Sequence, residues 1–237
     1  MADHPILFSG AMIRALLAGT KTQTRRVIKP RHNPNRPTLF DGTWSDSYVL
    51  DPGNQKWRED AYPWSVGDRL WVRETVACGA CAPGKPSHWA PSFWRREQGT
   101  PKNPNGLWYA ADGLAPEKTI TDRGRWVPGI HMPRWASRLA LTVTGVKVER
   151  LQDISEDDAW AEGIIEFHRG PDRLNWPAAS PDDVKTAIYQ TFGSARGGFR
   201  DLWEHINGTD SWAENPWVSA TAFDVHKQNI DALKEAA

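Results

Sequence analysis

Apolar positions along this chain come in short periodic bursts separated by long polar stretches. Met12, Ile13, Leu16 and Leu17 form a helical stripe that predicts a helix from Ser9 to Leu17. Ser9 is placed as its N-cap, and Gly19 suits a left-handed C-terminal position. Val27 begins an extended exit that Pro30 ends. Val66 to Thr75 reads as a turn and an alternating strand, with Leu70 and Val72 on one side and Trp71 and Arg73 on the other. Trp108 to Asp112 is a short strand candidate. The longest alternation runs from Leu139 to Leu151, and its phase changes at Gly145, which predicts a bulge or bend of the kind that closes a barrel. Ser155-Glu-Asp-Asp158 has the form of a capping box and opens a short helix that stops at Gly163. Helix patterns follow at 181–191 and 199–206, then a final strand at 216–225 and a helix-prone peripheral tail at 226–237.

Between these bursts, residues 30–64, 77–106 and 165–180 are rich in turn formers and have no sustained period, so they read as loop insertions. No internal repeat is visible. A few strands, short helices and long insertions predict an α+β fold, a small mixed barrel with flanking helices, rather than a parallel sheet. One domain over residues 1–237 accommodates all of it.

Composition changes this picture in three places. Tryptophan is abundant, with 14 Trp against 4 Tyr, and the scatter of these rings makes most of them core or groove wall. Net charge is zero, which argues against a generic polyanion binder. Yet residues 1–150 carry 22 Lys and Arg against 13 Asp and Glu, while residues 151–237 carry 7 against 16. Either one half presents a basic face, or the halves neutralise each other. No apolar run approaches the ~18 residues of a membrane span. Asp3, His4 and Pro5 follow Met1 where a signal peptide would be apolar. Two cysteines build no disulfide framework, and the expectation is a reducing cytoplasm.

The densest chemistry is Ala18-Gly-Thr-Lys-Thr-Gln-Thr-Arg-Arg26. Lys21 is a competent base if burial or a neighbouring cation lowers its pKa, and Arg25 and Arg26 adjoin it. Thr24 becomes a nucleophile only with such a base. The bland alternative is a basic loop with capping threonines. Glu162, ending the short acidic helix, could orient Lys21 or carry a proton; Glu74, beside Arg73, is its rival. His131, Arg134, Trp135 and Arg138 suit a nucleobase or phosphate, or else an aromatic core with snorkelling arginines. Cys78-Gly-Ala-Cys81 has the spacing of half a zinc site, with His88 in reach, but a structural site needs four ligands, and a loop thiol pair is the alternative. No phosphate-binding glycine loop, nucleophile elbow or His-Glu-x-x-His is present, and no cofactor is expected.

Gly19-x-Lys21-x-x-x-x-Arg26 resembles the signature of the ASCH domain, a relative of PUA-type RNA-binding β-barrels. Gly67-Asp-Arg-Leu-Trp-Val-Arg-Glu74 resembles that family's turn-then-strand element. Val143 to Gly163 resembles its strand and acidic helix, and Asn215 to Phe223 its closing strand. With His131 to Arg138 included, the chain is similar to the larger ASCH proteins of phages and prophages, over most of residues 5–225. The resemblance implies a PUA-like barrel. It also implies a catalytic set of Lys21, Thr24 and Glu162, as in relatives that remove the acetyl group of N4-acetylcytidine. Other relatives bind or cleave RNA, so the fold does not fix the reaction. The expected partners are therefore a modified nucleoside or RNA, contacted by Arg25, Arg26, Trp71, Arg73, Glu74, His131, Arg134 and Trp135, with no membrane involved.

Overall fold

The computed structural model describes residues 2–28, 44–56, 58, 62, 64–78, 96–97, 100–101, 107–113, 125–170 and 173–233. The fold is α+β. Five strands form one mixed sheet in the order β1-β3-β8-β9-β2: β1 (Asp3–Leu7), β2 (Gln23–Val27), β3 (Arg69–Arg73), β8 (Ala140–Arg150) and β9 (Trp217–His226). β1 and β3 pair in parallel, whereas β3 with β8 and β2 with β9 pair antiparallel. Two small ladders join β4 (Val76–Cys78) to β7 (Leu107–Tyr109) and β5 (Arg96–Glu97) to β6 (Thr100–Pro101). The order of the large sheet is linear, so the closed barrel expected from the resemblance is not found among the described residues.

The chain divides into two compact units. One comprises residues 20–68 and 143–224 and holds β2, most of β8 and β9, and α2 (Asp46–Leu50). It also holds α3 (Glu156–Ala161), α4 (Ile164–Arg169), α5 (Pro181–Phe192) and α6 (Ala195–Asn207). The helices α3 to α6 pack on one another around Ala159, Ile164, Ile188, Phe199 and Leu202, all buried. Complete removal of such side chains from water stabilises the fold by about 1.5–3 kcal/mol each for the larger ones. Ser180 and Asp183 form a full capping box at α5, and Gly193 ends that helix in the left-handed region at φ 75°.

The expected 165–180 insertion is not loop throughout. Residues 164–169 are helical, and Ile164, Ile165, Phe167 and His168 are buried. The sequence hides this helix because only Glu162, the C-cap of α3, and Gly163, the N-cap of α4 at φ 80°, separate two helices too short to show a period.

The other unit comprises residues 2–19, 69–142 and the stretch from 225 onward. Its helix α1 spans Gly10–Ala18; Ser9 occupies the N-cap position without a side-chain hydrogen bond, and Gly19 takes the left-handed C-cap at φ 76°. Leu70 and Val72 are buried on one face of β3, as the alternation predicts. The expected peripheral tail is anchored: Ile230 is fully buried, and Asn229 Nδ2 donates to the carbonyl oxygens of Arg134, Trp135 and Ser137. Among the described residues, no helix is long and apolar enough to cross a membrane.

Candidate active site

The site begins where the chain enters β2. The Thr22 amide donates to the carbonyl of Ala161 at 2.9 Å, and the Thr22 carbonyl accepts from the Phe223 amide at 3.0 Å. Lys21 and Glu162 form an isolated antiparallel bridge. The start of β2 is thus clamped between β9 and the end of α3, which brings Lys21 against Glu162 although they lie far apart in sequence.

The side chains complete the contact. Lys21 is fully buried, and its Nζ donates to Glu162 Oε2 at 3.0 Å, to the Glu162 carbonyl at 2.9 Å and to the Gln23 carbonyl at 2.8 Å. Burial pushes its pKa below the usual lysine value; Glu162 opposes this, and Arg26 and Arg25 add to it. A buried ammonium is tolerated because each of its three protons can find an acceptor.

Glu162 does not serve Lys21 alone. Arg25 Nη1 donates to Glu162 Oε1 at 2.9 Å and to Gln23 Oε1 at 2.8 Å. Arg25 Nε and Nη2 reach Glu149 at 3.0 and 2.6 Å, and Nη2 also reaches Asp158 at 2.9 Å. Lys147 Nζ bridges the outer carboxylates, 2.6 Å from Asp158 and 3.1 Å from Glu149. Within this cluster the basic N-terminal stretch is neutralised by acids from the later part of the chain, not displayed as an open basic face. Asp158 shows the redirection most clearly. Ser155 Oγ accepts from the Asp158 amide, which is half of the expected capping box. The Asp158 carboxylate faces Arg25 and Lys147, as a fixed charge whose pKa burial raises but those two cations bring below the usual value.

Thr24 is 2% exposed and faces Thr221 in the β2–β9 register. Successive side chains of a strand alternate, so Thr24 and Arg26 lie on the opposite face from Gln23 and Arg25. Arg26 is exposed.

The remaining expected contact residues lie in the other unit. Trp71 is half-buried under the Arg73 guanidinium, 5.1 Å from the ring centre, and Arg73 Nε donates to the Gly129 carbonyl at 3.0 Å. The ion partner of Glu74 is Arg138, which forks onto both its oxygens at 2.9 and 3.0 Å. Arg138 continues to Asp112 and stacks 4.0 Å above Tyr109. Arg134 binds Asp3 and Asp231, Trp135 packs on the cluster of Val76, Met132 and Ala136, and His131 is exposed. Arg134, Arg138 and Trp135 thus each make contacts within the fold. Cys78 lies in β4, while Cys81 and His88 fall outside the described residues; among those described, no group of three or more His, Cys, Asp or Glu is disposed to hold a metal.

Sequence reasoning missed Gln23, Glu149 and Asp158 as partners of Arg25, Lys147 as the second cation on Glu149 and Asp158, and Thr221 as the neighbour of Thr24. One signal was available. Lys147 and Glu149 stand two apart on a strand, hence on one face, beside the acidic start of the next helix.

The protein is therefore defined, as a class, by a mixed five-stranded sheet and a Lys–Arg–carboxylate cluster buried where β2 meets a short acidic helix. No protein-family model matches the chain, and no curated protein matches it. It is similar to the crystal structure of an ASCH domain from Lactobacillus crispatus JV V101, at 13% identity and a TM-score of 0.30, over 94% of this chain and 79% of that one.

Proposed function

We propose that this chain is an ASCH-type protein that hydrolyses the amide of a modified nucleobase, with an N4-acylated cytidine as substrate. One observation carries the reading: a fully buried Lys21 whose pKa is lowered, held 3.0 Å from the carboxylate of Glu162. A lysine brought toward neutrality is a base, and a carboxylate in contact with it can pass the proton onward. The Thr24 hydroxyl attacks the acyl carbon, Lys21 takes its proton, and Glu162 assists protonation of the leaving amine. Water then hydrolyses the acyl-threonine ester. The transfer requires Lys21 Nζ, held in the Glu162 cluster in the free protein, to turn and come within hydrogen-bond reach of Thr24 Oγ1 when substrate binds.

The test is incubation with N4-acetylcytidine, with cytidine release followed by chromatography and Thr24→Ala and Lys21→Ala as controls. Absence of turnover by the wild type sinks the hydrolase reading. Turnover that survives both substitutions removes the site.

A second reading is favoured by the saturation of the cluster. With three acceptors on Lys21 and three carboxylates on Arg25, the same groups serve as a structural pin. The chain would then bind RNA or a modified base, or cleave RNA, through groups such as the exposed Arg26. Binding to phosphates predicts affinity that falls steeply with added salt, and a flat response argues for a small-molecule pocket.

A further inference from the structure

The strands β2 and β9 carry different chemistry on their two faces. On one, Gln23 and Arg25 lie opposite Ala222 and Ala220, and the arginine is consumed by the carboxylate cluster. On the other, Thr24 lies opposite Thr221 and Arg26 opposite Ser219. Three polar side chains on this second face are buried, Thr24 at 2% exposure, Ser219 at 1% and Thr221 at 0%, between exposed Arg26 on β2 and the buried rings of Trp217 and Phe223 on β9. Thr221 Oγ1 is buried without a hydrogen-bond partner among the described residues.

That orphan hydroxyl is informative because buried polar groups in native proteins are nearly always bonded. The fold satisfies some hydroxyls of the kind and not others: buried Ser137 Oγ lies 2.8 Å from the Val72 carbonyl and 2.9 Å from that of Leu139, whereas Ser211 Oγ, like Thr221 Oγ1, has no partner among the described residues. Valine would fill the position of Thr221 with almost the same shape, a methyl group standing where the hydroxyl is. A hydroxyl kept there at a cost in stability, directly across the ladder from Thr24, has a bond to make with something that arrives. Side chains directly opposite in an antiparallel pair have Cβ atoms about 4.5–5.5 Å apart. That spacing lets one hydroxyl attack an acyl carbon while the other donates to the oxygen on that carbon.

We infer that Thr221 is the hydrogen-bond donor for the acyl oxygen of the amide substrate, completing with Thr24, Arg26 and Ser219 a ligand face built across β2 and β9. The inference rests on the hydrolase reading. When the Thr24 Oγ1–carbon bond forms, the carbonyl π pair moves onto oxygen, and the oxyanion accepts from Thr221 Oγ1–H. The Thr24 proton goes to Lys21, and collapse of the adduct expels the amine, which takes that proton back by way of Glu162. Thr221 neither gains nor loses a proton, so its role is electrostatic stabilisation of the transition state.

The experiment compares wild type, Thr221→Val and Thr221→Ser for thermal midpoint and for N4-acetylcytidine turnover. Because the hydroxyl has no partner in the free protein, Thr221→Val should melt at the wild-type temperature or above it. Its kcat should fall about 100-fold, the typical loss for one oxyanion donor, with KM little changed and Thr221→Ser restoring most of the rate. A lowered melting temperature in Thr221→Val, or undiminished turnover, overturns the inference while leaving the hydrolase reading intact. If the wild type turns over nothing, the same proteins are melted with excess cytidine and N4-acetylcytidine. Stabilisation of the wild type but not of Thr221→Val keeps the ligand face and discards the hydrolase. Equal stabilisation of both, or of neither, discards the ligand face as well.

Discussion

Lys21 meets Glu162 twice, its ammonium donating to both the side-chain carboxylate and the backbone carbonyl of the same residue. A contact made only through side chains could slide. The carbonyl bond, together with the antiparallel bridge between the two residues, fixes the pair to the backbone on which α3 ends. Whatever chemistry occurs here starts from a carboxylate whose position is set by the chain itself.

The two partners of that pair should differ in their effect on stability. Glu162→Gln leaves Lys21 and Arg25 buried without the charge between them, and breaking a buried pair in this way costs about 3–5 kcal/mol. Lys21→Met leaves Glu162 still bound to Arg25, so its loss should be smaller. Urea unfolding with an unchanged m-value measures both, and equal losses would remove Arg25 as the second holder of Glu162.

Arg25→Lys keeps the charge and loses the fork. A lysine cannot reach Glu149, Asp158 and Glu162 with separate planar donors. Charge-assisted bonds of this kind contribute roughly 1.5–3 kcal/mol each, and a loss of about 2 kcal/mol is expected after partial rearrangement. A substitution neutral in urea unfolding would mean that the cluster does not hold the start of β2.

Tyr109 should titrate well above the ordinary tyrosine value. Burial, reinforced by the charge of Glu74, pushes its pKa from 10.0 up to about 12. A folded pKa above the unfolded one favours the protonated form, so this contribution to stability is complete below pH 10 and is lost as the pH rises to about 12. Absorbance at alkaline pH follows the phenolate. Tyr109→Phe should abolish the late step and, through loss of the 2.9 Å bond from the Tyr109 hydroxyl to the Ala136 carbonyl, cost about 1 kcal/mol.

Asp158 contributes with the opposite sign. Its folded pKa lies below 3.8 because Lys147 and Arg25 outweigh burial. Its stabilisation is therefore present above the unfolded value and disappears as the pH falls through the folded one. Asp158→Asn should be less stable than wild type at neutral pH and converge with it in acid. Parallel stability curves down to the acid transition would exclude the carboxylate as the source.

Local patterns were enough to locate α1 with its left-handed Gly19, the alternation of Leu70 and Val72 on β3, the long strand β8 and the short helix begun by Ser155. Each depends on the period of a helix or strand, or on a glycine whose backbone conformation other residues resist, and those are properties of consecutive residues. The choice of Lys21, Thr24 and Glu162 also came from the sequence, by resemblance to a motif. Tertiary structure alone decided that the Asp158 carboxylate turns from its helix cap to Arg25 and Lys147, and that Glu74 pairs with Arg138 instead of Arg73. It alone set Thr221 across the ladder from Thr24. Those outcomes depend on strand register and on which charges lose their water together, quantities fixed by residues more than 60 positions apart in the cases of Glu74 with Arg138 and Arg25 with Asp158. A linear pattern carries no record of such distances.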